Sequence, residues 1–153
     1  MGHDGFAHIH RRRGINSNER TLIATIIPPK RSHLYTGYSM FFKDEKDMLM
    51  FSSASLTILY DFAVRVTGKE DLLINSIDYL PVLLFEDPMS PHLLYRVLRL
   101  TCLNNEYSEL WNKYINCFKE NEVLNNLEEI KEWSENVPIT SFYQRRKKII
   151  LNY

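Results

Sequence analysis

Cysteine is scarce in this chain of 153 residues. Cys102 and Cys117 stand alone, without a CxxC pair, which excludes a zinc knuckle or a redox dithiol. Both fall in segments of helical pattern, and two buried free thiols are expected. Glycine occurs only 5 times, never in the spacing that cradles a phosphate. Gly68-Lys69 lacks both the upstream glycine and the following Ser/Thr of a P-loop. No GxSxG elbow and no HExxH helix is present. No apolar run reaches the ~18–20 residues that span a bilayer. The N-terminal MGHDGFAHIHRRRG has no apolar stretch behind its charge, so it does not read as a secretory signal. A cytoplasmic protein with no membrane partner is the expectation.

Net charge is absent as well, 19 basic residues balancing 19 acidic ones. Apolar residues make up 44% and charged residues 25%, the composition of an ordinary globular domain rather than a disordered chain or a fibre. A chain of this length buries roughly two-thirds of its unfolded surface and needs neither metal nor disulfide to fold. The neutrality hides a segregation of charge. Between His8 and His33 the charged residues are Arg11, Arg12, Arg13, Arg20, Lys30 and Arg31 against Glu19 alone. Between Glu106 and Glu135 there are eight glutamates against Lys113, Lys119 and Lys131, and the tail turns basic again at Arg145, Arg146, Lys147 and Lys148. A neutral protein patterned this way can carry a locally positive face, with a field reaching ~8 Å in physiological salt.

The element pattern is α+β: a β-rich N-terminal half packed on a long helix, then a helical C-terminal half. Residues 1–19 are polar and aperiodic and read as a flexible basic arm or severed linker, leaving 20–153 as one domain. Arg20–Ile27 is a β-branched strand stopped by Pro28-Pro29, and His33–Phe42 alternates as a second strand. A hairpin with Lys30 and Arg31 at its tip is expected. Lys43–Thr67 has no proline or glycine, an acidic first turn and an apolar stripe, which predicts one helix ended by Gly68. Leu72–Ile77 and Leu80–Phe85 read as short strands. Ser90-Pro91 opens a helix running to about Leu103, with Ser90 as N-cap. The stripe of Tyr107, Leu110, Trp111, Tyr114, Ile115 and Phe118 predicts a helix over 106–119. Further helices are expected over about 126–135 and after Pro138, where Ser141 and Gln144 have capping-box spacing.

No constellation points to catalysis. His3, His8 and His10 could hold a metal only with a scaffold to fix their geometry, which an aperiodic arm lacks, so no metal and no cofactor are expected. Glu129-Ile130-Lys131 resembles the end of a nuclease motif but falls in an acidic helix without the partner carboxylate. Most aromatic residues fall on apolar faces and read as core; Trp133, on the acidic helix, reads as a partner contact.

Several phrases carry a resemblance. Arg20-Thr21-Leu22-Ile23-Ala24-Thr25-Ile26-Ile27-Pro28 resembles a strand found downstream of the catalytic core in large adenine-specific DNA methyltransferases of restriction–modification and phage-defence type. Leu94 to Trp111 is similar to a helical pair of the same proteins, and Val137-Pro138-Ile139 with Phe142–Arg146 to their terminal segment. Leu80-Pro81 after Thr67-Gly68 matches the layout of a target recognition region, so that the likeness runs from about Asn16 onward. The chain departs at Thr140, Ser141, Lys147 and Lys148, and it lacks the family's glycine-rich methyl-donor motif and its Asn-Pro-Pro-Tyr motif. Ile27-Pro28-Pro29-Lys30 has no Asn to hold the adenine amino group.

The resemblance implies a target recognition module for double-stranded DNA, non-catalytic on its own, as a truncated product, an excised fragment or a separate specificity partner of a methyltransferase. Arg11, Arg12 and Arg13 would neutralise phosphates, while Arg20, Lys30, Arg31 and His33 would enter a groove from strand ends and the hairpin tip. Lys69, beside Gly68, would be a further phosphate ligand. Arginine gripping guanine in a bidentate way is worth ~1–3 kcal/mol of discrimination. A different class is a protein–protein module, or decayed remnant, docking on a methyltransferase or defence complex; the neutral charge, acidic helices and Trp133 motivate it.

Overall fold

The computed structural model describes residues 4–14, 17–81 and 83–121. The chain forms two compact units, 1–87 and 88–153, and the element order is α+β.

The first unit is built on a three-stranded antiparallel sheet of β1 (Ala7–Arg11), β2 (Ala24–Ile27) and β3 (Gly37–Met40), in the order β2-β1-β3. Ile9 stands opposite Thr25 on one side and Ser39 on the other. The central strand therefore comes from the segment read as a flexible arm. Its pattern is Ala-His-Ile-His-Arg, in which Ala7, His8 and His10 are buried. Two histidines occupy positions where a strand ordinarily shows apolar residues, and this hides the period of two.

Because β1 lies between β2 and β3, the expected hairpin is not formed. Both outer strands run antiparallel to β1 and so parallel to each other. Residues 28–36 must return the chain from one end of the sheet to the other. Lys30 starts this crossover in the left-handed region, at φ 59°. Gly37 ends it: a Cβ there would stand 2.8 Å from Ile9 Cδ1 and 3.3 Å from His33 Nδ1, so any larger residue would require the ends of those two side chains to shift.

Two helices replace the single long helix expected over 43–67. α1 (Glu45–Ser55) is opened by Asp44, whose side chain accepts from Lys46 N, and α2 (Ile58–Val66) by Thr57, which accepts from Tyr60 N. The axis turns by 76° between them. The cause is local: Thr57 is extended and leaves the helical path, and its hydroxyl donates back to Ala54 O at 2.7 Å. Gly68, at φ +65°, ends the second helix as expected. α1 packs on β1 and β2. Leu22, Ala54, Tyr60, Val64, Leu72, Ile77 and Leu80 form a core cluster in this unit. The strands expected at 72–77 and 80–85 do not occur among the described residues. Ile74–Ser76 is a 3-10 turn, and the extended pairing there is one bridge between Arg13 and Asp71.

The second unit contains α3 (Ser90–Thr101) and α4 (Ser108–Lys119), joined by a 3-10 turn over Asn105–Tyr107. Met89 rather than Ser90 is the N-cap, with Pro91 in the first turn. The apolar stripe is used as its period dictates: Leu110, Tyr114, Ile115 and Phe118 are buried, as are Leu94, Val97 and Leu98 on α3. Tyr95, Trp111 and Phe118 stack edge-on or tilted, with centroids 5.3–6.3 Å apart. Cys102 is buried and Cys117 half-buried, both as free thiols. The helices expected beyond residue 121, with Glu129, Lys131 and Trp133, lie outside the described residues. No single helix among the described residues is long and apolar enough to cross a membrane.

Candidate nucleic-acid interface

The eight expected DNA-contacting residues divide into two groups. Arg12, Arg20 and Lys69 are built into the fold. Arg12 donates from Nε and Nη2 to the two carboxylate oxygens of Asp71, each at 2.7 Å, with its guanidinium 4.0 Å from the Tyr35 ring centroid. Hydrogen bonding to Arg12 holds the Asp71 carboxyl below its ordinary range, and the same contact raises the guanidinium. Arg20 donates from Nη2 to the carbonyls of Leu56 and Thr57, both at 3.1 Å, and lies 3.5 Å from Asp61. It therefore satisfies carbonyls at the α1–α2 corner, a task any groove contact would undo. Lys69 Nζ donates to Asn75 O at 2.8 Å. These three were expected as nucleic-acid ligands; the geometry makes them internal ties first.

The remaining five belong to the sheet and its crossover. Arg13 follows β1 and is exposed; Lys30 and Arg31 are exposed on the crossover. His33, also exposed, donates from Nδ1 to Leu34 O at 2.8 Å, which leaves its Nε2 edge available. Arg11 is the last residue of β1, opposite Gly37. Arg11 and His33 line one hollow of about 400 Å³ on the face of the sheet that carries Ile9, together with Ile23, Thr25, Leu34 and Thr36. Residues 22 positions apart thus reach one site because the crossover folds over the outer face of β1. Arg11 Nε and Nη2 are buried and have no hydrogen-bond partner among the described residues.

On the opposite face of β1 lies an arrangement the sequence did not announce. Leu72 O can only accept, so His10 Nε2 donates to it at 2.9 Å. His10 Nδ1 then accepts from His8 Nε2 at 3.3 Å, and His8 Nδ1 accepts from Ser52 Oγ at 3.0 Å. One proton per ring satisfies the whole chain, so both imidazoles are neutral. Burial, followed by the proximity of His10, pushes His8 down to about 3. Burial lowers His10 as well, partly offset by its bond to Leu72. The rings are 0% and 1% exposed. No group of three metal-ligating side chains exists among the described residues; His3 lies outside them. The visible clue was the His-x-His alternation, which has strand period.

Comparison with family models, with curated proteins and with solved structures finds no match to this chain.

Proposed function

We propose that this chain is a target recognition module for double-stranded DNA, non-catalytic on its own, which binds through the outer face of the β2-β1-β3 sheet and its crossover. The observation that carries this reading is the convergence of Arg11 and His33 on one hollow, with Lys30 and Arg31 on the segment that covers it. Three of the eight expected residues, Arg12, Arg20 and Lys69, are tied to acceptors within the chain, so the interface is smaller than a count of basic residues implies. Arg13, Lys30 and Arg31 act on phosphates; Arg11 and His33 lie deeper.

Duplex affinity is expected to fall steeply with salt, because each neutralised phosphate adds ~0.9 to the slope of log affinity against log salt. Fluorescence anisotropy at several salt concentrations reads this slope. Lys30→Ala and Arg13→Ala should each reduce it by about one phosphate, while Lys69→Ala leaves it unchanged. A wild-type chain that binds duplex no better than a neutral control protein at low salt would end the reading.

One further feature favours a companion role as a protein–protein module. Ile58, Leu59, Phe62 and Val66 line one side of α2 and are 77%, 79%, 64% and 67% exposed. An apolar stripe of this kind is unusual on a surface that meets only water. A recognition module without an engine needs a methyltransferase subunit to dock on, and this stripe has the chemistry for it. Phe62→Lys is expected to abolish co-migration with a methyltransferase subunit in size-exclusion chromatography and to leave duplex binding intact.

A further inference from the structure

Arg11, which ends β1, and Arg12, which follows it, use the same edge of the guanidinium in opposite ways. Arg12 presents Nε and Nη2 side-on to Asp71 and fills both bonds at 2.7 Å. Arg11 presents the same two nitrogens on the other side of the strand, buried and without a protein acceptor among the described residues. A buried guanidinium left unpaired is costly, and buried donors without partners call for an explanation. The lining of the hollow contains no acidic side chain.

We propose that this hollow seats one nucleotide unit, with its phosphate on the Arg11 fork; the proposal rests on the nucleic-acid reading above and names what that surface grips. Phosphate suits the donor set better than a carboxylate. Beyond the two fork nitrogens, the hydroxyls of Thr25 and Thr36 border the same space, and a tetrahedral phosphate can meet donors lying out of the plane of the fork, which a planar carboxylate cannot. The volume of about 400 Å³ exceeds that of a bare oxoanion and lies in the range of small-molecule sites. Ile9, Ile23 and Leu34 supply an apolar wall for the sugar or base. The fork nitrogens are buried in the free chain, so seating a phosphate requires side chains at the hollow to move; Leu34, in its lining and 80% exposed, is not held there by packing. The crossover beneath stays held through Arg12 N to Thr36 O at 2.9 Å.

The test uses thymidine 5′-monophosphate, thymidine and inorganic phosphate as probes, read by amide chemical shifts of the full chain. The monophosphate is expected to move resonances of residues 9–11, 25 and 33–37, with inorganic phosphate weaker and thymidine without effect. Arg11→Met removes the charge at similar length and should cost about tenfold or more in monophosphate affinity. Arg11→Lys keeps the charge without the fork and should lose nearly as much. Since Arg11 Nε and Nη2 have no hydrogen-bond partner among the described residues, Arg11→Met is expected to melt no lower than wild type, whereas saturating monophosphate raises the melting temperature of wild type alone. A monophosphate that leaves the hollow unmoved, or binds Arg11→Met as well as wild type, overturns the proposal. Duplex binding that persists unchanged in Arg11→Met does so too, and leaves the nucleic-acid reading standing. Monophosphate bound at Arg11 by a chain that ignores duplex supports the seat and removes the duplex reading.

Discussion

Lowering the pH from 7 to 5 is expected to destabilise the first unit by about 2 kcal/mol through His8 alone. His8 is held near 3 in the fold by burial and by its neighbour His10, against an unfolded value of about 6.5. A depressed histidine takes up protons more readily unfolded than folded. Its contribution is therefore complete above pH 6.5 and is lost progressively as pH falls below it, down towards the folded value. His10 is shifted in the same direction and adds to the loss. Arg12 holds the Asp71 carboxyl below its ordinary range, so the Arg12–Asp71 pair does not contribute to the change between pH 7 and pH 5. Urea titrations at the two pH values read the difference. The double variant His8→Leu/His10→Leu should flatten it, whatever its stability at neutral pH. Equal stability of wild type at pH 7 and pH 5 would mean that the Ser52–His8–His10–Leu72 chain is not closed in solution.

Asp61→Ala is expected to cost about 3–5 kcal/mol, the range for stripping one partner from a buried charged cluster. Asp61 Oδ1 accepts from the backbone N–H of both Thr21 and Leu22 at 2.7 Å, and its carboxylate also faces Arg20 and Arg65. Thr21 and Leu22 are 0% and 2% exposed, so no water replaces the lost acceptor. Arg65 is tied to the same stretch, donating to Asn18 O, Glu19 O and Thr21 Oγ1. The network anchors the chain just before β2 to the start of α2. Asp61→Asn retains an oxygen for both backbone donors and loses the charge. A cost of about 1–2 kcal/mol is expected for it, because only the hydrogen bonds to charged groups weaken. Denaturant unfolding that ranks wild type, Asn and Ala in that order supports this partition. An Asn variant as unstable as Ala would place the weight on the ion pairs.

The parts of the fold legible in the sequence are those whose side chains follow a period. The α4 stripe of Leu110, Tyr114 and Phe118 is used as its spacing dictates, and the β-branched run read as a strand over Arg20–Ile27 forms one over Ala24–Ile27. Gly68 stops α2 because the backbone there needs a positive φ. β1 was illegible because a core built of His8, His10 and Ser52 has the composition of a surface. With β1 unseen, β2 and β3 became neighbours in the reading, and a hairpin followed from that error alone. The break at Thr57 was illegible for a related reason: one hydroxyl that caps a new helix outweighs the absence of proline and glycine.

The candidate site was legible in composition and not in partition. Arg12 and Arg13 are neighbours of equal character, yet one meets Asp71, 59 residues further on, and the other is exposed. Such a pairing over long sequence separation leaves no local mark. The same holds for Arg20, whose acceptors are carbonyls exposed by a helix break that was itself unforeseen. Conversely, the meeting of Arg11 and His33 at one hollow requires the crossover, which depends on β1 lying between the other two strands.

The claim that binds these observations together is that the crossover side of the sheet is the face this protein offers to DNA. Titrating a short duplex into the isotopically labelled chain, and mapping which amides shift, tests it most directly. The expected shifts fall on residues 9–13, 25 and 30–37, fade as salt is raised, and spare α4. Shifts confined to α2 or α4, or none at low salt, would contradict it.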